Sequence, residues 1–286
     1  MSIPSRRAKD RIVTALLYSL MAAVILLLAG VLAFIVKNGL SALSWDFLTQ
    51  PPRDAMTRGG IYTPLIGSIQ LIAVAMAFAF PVGVLTAVYL VEWARDGLFT
   101  RTLRLAVRSL AGVPSVVFGL FGLSFFVVVL GFGASLLSAG LTLGCLVLPV
   151  IVGASEAALS AVPRDYRDAS YAMGATKWQT IRKVVLPAAF PSILTGAILA
   201  VGRVAGETAP IIFTGAAFFT PRVARSLLEP VMALPYHILV LATAGTAIDE
   251  TRPIQYGTVL VLLVLVLGVT LVGVLFRAKL RMEKRR

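Results

Sequence analysis

Cysteine and histidine are almost missing from this 286-residue chain, which has one of each, Cys145 and His237. A lone thiol excludes a disulfide framework. A lone histidine without companion thiols excludes the multi-ligand zinc sites of enzymes and fingers. Charge is scarce as well: 14% of residues are charged, against about a quarter in an ordinary soluble domain. No G-x-x-x-x-G-K-[ST] phosphate loop occurs. Gly174-Ala175-Thr176-Lys177 reads as a turn and a helix cap without the second glycine, so nucleotide hydrolysis by that loop is excluded. H-E-x-x-H and G-x-S-x-G are also absent, which removes zincin and hydrolase chemistry.

What is present is apolar. The chain is 58% hydrophobic and its mean hydropathy is +0.92, the signature of an all-α polytopic membrane protein. A net charge of +13 invites a nucleic-acid reading, because basic proteins attract phosphate backbones. Position argues against it, since the basic residues flank apolar runs. Six spans are expected, at about 12–36, 65–91, 105–130, 134–154, 188–213 and 256–276. The first run is too long for a secretory leader, whose apolar core is roughly 7–15 residues. It reads as an uncleaved helix. The segments placed inside (1–11, 92–108, 155–187 and 277–286) hold 19 of the 26 Lys and Arg, and those placed outside hold six. The asymmetry predicts an N-in/C-in orientation. Residues 1–64 form a cytosolic tail, first span and external loop, with Trp45 and Phe47 expected at the interface. Residues 65–276 form the transmembrane domain proper, and 277–286 a basic tail. The stretch 227–242 is apolar but broken by Pro230 and Pro235, and reads as an external segment dipping toward the membrane.

Two spans carry unusual chemistry. Ala111-Gly112-Val113-Pro114-Ser115 interrupts the third. A break there would expose helix N-terminal amides that favour anions, and Ser115 would stand among them; a plain packing kink fits equally well. In the fifth span Arg203 and Glu207 are the ionisable residues nearest the middle of any predicted span. They stand at i and i+4, so they can pair, although Arg before Glu is the weaker order on a helix. Intramembrane charge costs a few kcal/mol. Two uses fit the pair: an ion pair that fixes helix packing, or an anion pathway. In the second, the guanidinium grips an oxyanion through parallel hydrogen bonds while Glu207 offsets its charge and accepts a hydrogen bond from a protonated oxyanion. Thr208 adds a hydroxyl, and Pro210 predicts a kink just beyond. Gly140-x-x-x-Gly144 predicts close helix approach in the fourth span.

Between the fourth and fifth spans lies a polar stretch, 155–187, patterned as a helix, a glycine turn and a second helix. Tyr166, Ala169, Ala172 and Met173 share a face. Gly174 suits the left-handed residue after a helix, and Thr176 with Gln179 predicts a capping box. Trp178, Ile181 and Val185 form a stripe in the second helix. An ordinary connection is shorter, and one with its own caps and stripes reads as a docking element.

These residues carry a resemblance. Asp168-Ala169-Ser170, three residues, Gly174, nine residues, then Val184-x-Leu186-Pro187 resembles the EAA loop of ABC-importer permeases (Glu-Ala-Ala, x3, Gly, x9, Ile-x-Leu-Pro). Asp replaces Glu, Ser the second Ala and Val the Ile. The Arg203-Val-Ala-Gly-Glu-Thr-Ala-Pro210 and Ala111-Gly-Val-Pro-Ser-Val-Val-Phe-Gly119 stretches are similar to the fifth- and third-span motifs of the phosphate-specific (Pst) transport permeases. The chain's length, broken external segment and basic tail suit the PstA-type subunit better than the longer PstC-type. The resemblance implies a type I ABC importer permease fold in the plasma membrane of a prokaryote. It also implies a PstC-type second permease subunit, two ATPase subunits that carry the ATP and Mg, and an extracytoplasmic phosphate-binding protein. This chain would then bind no cofactor, metal or nucleic acid and would catalyse no reaction itself. Arg203, Glu207, Thr208 and Ser115 would line the substrate pathway. Tyr166, Asp168, Ala169, Ala172, Gly174, Trp178, Leu186 and Pro187 would meet the ATPase. Another oxyanion as cargo, an ATPase-independent carrier and a membrane enzyme are the competing readings. The enzyme is the thinnest of these, with only Arg203 and Glu207 to work with inside the spans.

Overall fold

Apolar runs dictate long helices, because only internally hydrogen-bonded backbone is tolerated in lipid. The computed structural model describes residues 3–95, 97–244 and 248–283; Lys284, Arg285 and Arg286 of the expected basic tail lie outside them. Among the described residues, five helices are long and apolar enough to cross a membrane, or six if one bent pair is counted as a span. Helix α1 (Ile3–Gly39) is followed by α2 (Trp45–Thr49) and a two-stranded antiparallel ribbon, β1 (Pro52–Arg53) with β2 (Arg58–Gly59). Then come α3 (Tyr62–Val88), α4 (Leu98–Leu110), α5 (Ser115–Gly122) and α6 (Leu136–Ser160). The hairpin contributes α7 (Arg164–Ala172) and α8 (Lys177–Thr180). The remainder is α9 (Leu186–Gly206), α10 (Ala209–Thr214), α11 (Leu234–Thr243) and α12 (Ile248–Glu283).

The core is the seam between α3 and α6, with α9 closing it. Leu71, Ala75 and Ala79 meet Leu143, Val147 and Ile151, and Ala200 and Val204 complete the cluster. The Gly140/Gly144 spacing does what it predicts. A methyl at Gly140 would lie 2.4 Å from the Val74 side chain, and one at Gly144 would lie 3.1 Å from the Ala75 carbonyl oxygen. Residues 74, 78 and 83 therefore match 140, 144 and 151 in register, so α3 and α6 run parallel. Helix α12 runs antiparallel to α9, since Gly202 faces Val266, Ile198 faces Gly273, and Arg277 donates to Thr195 Oγ1 at 2.9 Å. Among the described residues, the end of α1 meets the start of α12, through Gly39 and a Phe34–Tyr256 edge contact. These directions gather the ends of α3 and α6, the hairpin, the start of α9 and the end of α12 at one end of the bundle, and the end of α1 lies at the other.

Four expectations are corrected. The third span does not run straight over 105–130. Leu98–Leu110 is a separate amphipathic helix, and the helix from Ser115 to Val129 turns from it by 103°. Arg101, Arg104 and Arg108 fall within three turns there, a pattern suited to a helix lying along the bundle end. The fifth span does not reach residue 213. Its helix ends at Gly206, because the Pro210 ring cannot coexist with the carbonyl four residues back in a continuing helix. The hairpin's second arm is no separate helix either: α8 passes through a π-helical turn (Ile181–Val185) straight into α9. Finally Phe47 is buried with Ile61 and Leu234 against the start of α12, while Trp45 is exposed.

Candidate functional site

Two places combine polar chemistry with an apolar setting. The first is the break in the fifth span. Glu207 caps α9 with extended backbone, and Thr208 opens α10. Although they no longer share a helix face, Arg203 Nε reaches Glu207 Oε1 at 3.4 Å. Charge-assisted bonds usually close to about 2.7–2.9 Å, so this one is long. It is the guanidinium's sole hydrogen bond among the described residues, which leaves both terminal nitrogens with donors to offer. The side chains are 36% and 18% exposed, and Glu207 lines a small pocket with Ser68, Leu143, Ala233 and Pro235.

The broken third span lies beside this break. Gly119 of α5 is pressed on α10: a methyl there would stand 3.0 Å from Pro210 Cα and 3.3 Å from the Ala209 carbonyl oxygen. Gly122, one turn on, meets Thr214. The two helices therefore run parallel, and Ser115, one turn before Gly119, falls near the level of Thr208. Ser115 is the first residue of α5, after Pro114. The structure thus brings the two motifs together. No hydrogen bond joins Ser115 or Thr208 to Arg203 or Glu207 among the described residues.

The second place is the hairpin. Gly174 has φ +81°, the left-handed turn expected. The capping box is complete: Thr176 Oγ1 accepts from Gln179 N at 3.3 Å, and Gln179 Oε1 accepts from Thr176 N at 2.9 Å. Ser170 and Thr180 hydroxyls bridge the two arms at 2.9 Å. Tyr166, Asp168, Ala169, Ala172, Gly174 and Met173 are all exposed, Met173 by 88%. Ile181 and Val185 are buried below them. Trp178 does not share that burial; it is half-exposed and lies 6.0 Å from Trp93, over which Lys177 Nζ sits at 5.5 Å. Leu186 and Pro187 sit in the first turn of α9 rather than at the hairpin tip; Leu186 packs against the bundle and Pro187 is exposed.

A family model described as a binding-protein-dependent transport system inner membrane component matches residues 79–282. This chain belongs to that family. The permease is 35% identical over 276 residues to the probable ABC transporter permease protein YqgI of Bacillus subtilis (strain 168), covering 92% of this chain and 93% of the relative. It is 36% identical over 277 residues to the phosphate transport system permease protein PstA of Mycobacterium leprae (strain TN), covering 95% and 90%. Among solved structures, a bacterial ABC transporter involved in the import of the acidic polysaccharide alginate matches it with a TM-score of 0.64. That match has 14% identity, over 96% of this chain and 99% of the other, and it speaks for the type I importer fold alone.

Sequence reasoning missed the polar contacts that tie the permease's hairpin down. Arg167 is bonded to Glu92, 75 residues away, and to carbonyls at the end of α6. Arg104 on α4 pairs with Glu156 of α6 at 2.7 Å. In sequence these residues were only members of basic or mixed loops, and nothing local marks their partners. His237, expected in an external segment, is buried at 1% exposure. It has no polar contact at either ring nitrogen among the described residues, so it plays no part in either place.

Proposed function

We propose that this chain is one of two membrane subunits forming the pore of an ATP-driven importer of inorganic phosphate. A PstC-type second permease, two ATPase subunits and an extracytoplasmic phosphate-binding protein complete the assembly, which sits in the cytoplasmic membrane of a prokaryote. ATP and Mg belong to the ATPase partners, and this chain binds no cofactor. The bundle end holding the hairpin and both chain ends faces the cytosol, in line with its basic residues. The observation that carries the reading is Arg203, an intramembrane guanidinium with two uncommitted terminal nitrogens beside a carboxylate at a helix break. That set can grip a tetrahedral oxyanion bidentately, while Glu207 prevents its permanent capture. The M. leprae relative's name points to the same cargo. The exposed face of α7 and the Gly174 tip seat in the ATPase, whose closure rocks the spans and opens the Arg203 cavity to each side in turn.

The test is uptake of labelled phosphate, sulfate and molybdate in cells lacking other phosphate carriers. Loss of phosphate uptake in Arg203→Ala, with the chain still in the membrane, is expected. Unchanged phosphate uptake, or dependence of sulfate or molybdate uptake on Arg203 instead, overturns phosphate as the cargo.

A further inference from the structure

Helix α7 presents an anomaly. It contains no buried residue, so none of its side chains joins the apolar cluster beneath it. An isolated nine-residue helix is marginal in water. Beneath it lies a well-packed apolar cluster: Ala87 and Val88 of α3, Leu159 and Val162 at the end of α6, and Ile181 and Val185 on the way into α9. A single side chain joins the two layers. Arg167 Nη2 donates to Glu92 Oε1 at 2.8 Å and to the Leu159 carbonyl at 3.0 Å. Its Nη1 donates to the Val162 carbonyl at 2.8 Å, and its Nε to Glu92 Oε1 at 3.2 Å. The pair is deeply placed, at 15% and 7% exposure. Leu159 and Val162 lie at and just past the end of α6; the Leu159 carbonyl accepts from Val162 N at 3.3 Å as well as from Arg167. Arg167 therefore caps α6, neutralises a carboxylate beyond the end of α3 and belongs to α7, all at once.

We infer that Arg167 is the positioning residue that transmits hairpin movement to α3 and α6 together. The inference rests on the coupling role proposed above for the hairpin. Among the described residues, the other side-chain hydrogen bond tying α7 down is the Ser170–Thr180 bond to the second arm. A push on α7 thus reaches α9 through the hairpin's own turn, and reaches α3 and α6 through this guanidinium. Lysine cannot replace it, because an ammonium is a point charge without the planar fork, whose nitrogens here meet Glu92 Oε1 and the Leu159, Val162 and, at 3.4 Å, Pro163 carbonyls.

The test uses the assembled transporter carrying Arg167→Lys, and separately Arg167→Gln with Glu92→Gln. The double variant leaves no buried charge unpaired should the single one assemble poorly. Two quantities are read: amide hydrogen exchange across 164–172, and phosphate moved per ATP hydrolysed. Exchange in α7 is expected to quicken at least tenfold while the α3–α6 seam stays protected. Transport per ATP is expected to fall at least fivefold with hydrolysis retained. Wild-type exchange in both variants, or unaltered transport per ATP despite faster exchange, overturns the assignment. The exchange arm needs no cargo, so it still reads on Arg167 if the wild type proves to move an anion other than phosphate.

Discussion

Arg203 and Glu207 stay paired although the helix that should carry both ends between them, at Gly206. Their contrast with Arg167 is instructive. All three nitrogens of Arg167 are engaged by short bonds deep in the protein, whereas Arg203 makes one long bond and is more than a third exposed. A saturated guanidinium holds structure; an unsaturated one is free to hold a ligand. Arg203→Lys keeps the charge and loses the planar fork, so phosphate uptake should fall by roughly tenfold or more. Glu207→Gln should lower uptake and narrow the preference for phosphate over sulfate, since only phosphate keeps an O–H at neutral pH that can donate a hydrogen bond to the carboxylate. Initial uptake rates for both anions check this, and an unaltered Glu207→Gln phenotype removes the hydrogen-bond-acceptor role.

Gly174 holds a left-handed backbone that a β-branched residue adopts only with strain. Open space around the position means that side-chain volume is not the obstacle. The conformational cost is about 1–2 kcal/mol, enough to reshape the turn without unfolding five spans. Gly174→Val should leave ATP hydrolysis measurable while uptake drops, and Gly174→Asn, which tolerates this conformation, should retain most uptake. Equal uptake for valine and glycine would mean that the hairpin tip does not carry the coupling.

The contact of α5 with α10 allows a sharper test of the two broken spans as one unit. A side chain at Gly119 meets Pro210 and the Ala209 carbonyl, which are backbone and cannot swing aside. Gly119→Val should cost about 1–3 kcal/mol by overpacking, read as a lower midpoint of thermal unfolding in detergent. Uptake should fall by more than that destabilisation explains, because α10 carries the residues that follow Glu207. A valine variant matching wild type in both readings would separate the third span from the Arg203 site.

The parts of this architecture that the sequence announces are the local ones. Apolar runs mark the spans, and the Thr176 box and the Gly174 turn follow from residues within four positions of each other. The fifth span's end was misplaced because Pro210 was read as a kink at its own position. Its ring instead conflicts with the carbonyl of Gly206. Helix α4 was hidden because Leu105 continues an apolar run, although three arginines between 101 and 108 spoil it as a span. The Arg167–Glu92 bond could not be read at all. It depends on α3 and α6 running parallel, and no local pattern records that. The pathway residues were legible as types, but the juxtaposition of the two motifs required the Gly119–Pro210 contact.

Orientation is the remaining prediction, and the single native thiol makes it tractable. With Cys145→Ala, cysteines placed at Trp45 and Met173 sit at sites 78% and 88% exposed, at opposite ends of the bundle. Trp45 opens α2, which is bonded to the start of α3 through the Phe47 carbonyl, so it lies at the end of the bundle away from the hairpin. In intact cells a membrane-impermeant maleimide should label Trp45→Cys and spare Met173→Cys, and permeabilisation should expose both. A cysteine at Lys279 should behave like Met173→Cys, because α12 returns to the hairpin end beside Thr195. Labelling of Met173→Cys from outside would put the hairpin away from cytosolic ATP. No ATPase could then drive it, and the importer reading would fail at its mechanical step rather than at its cargo.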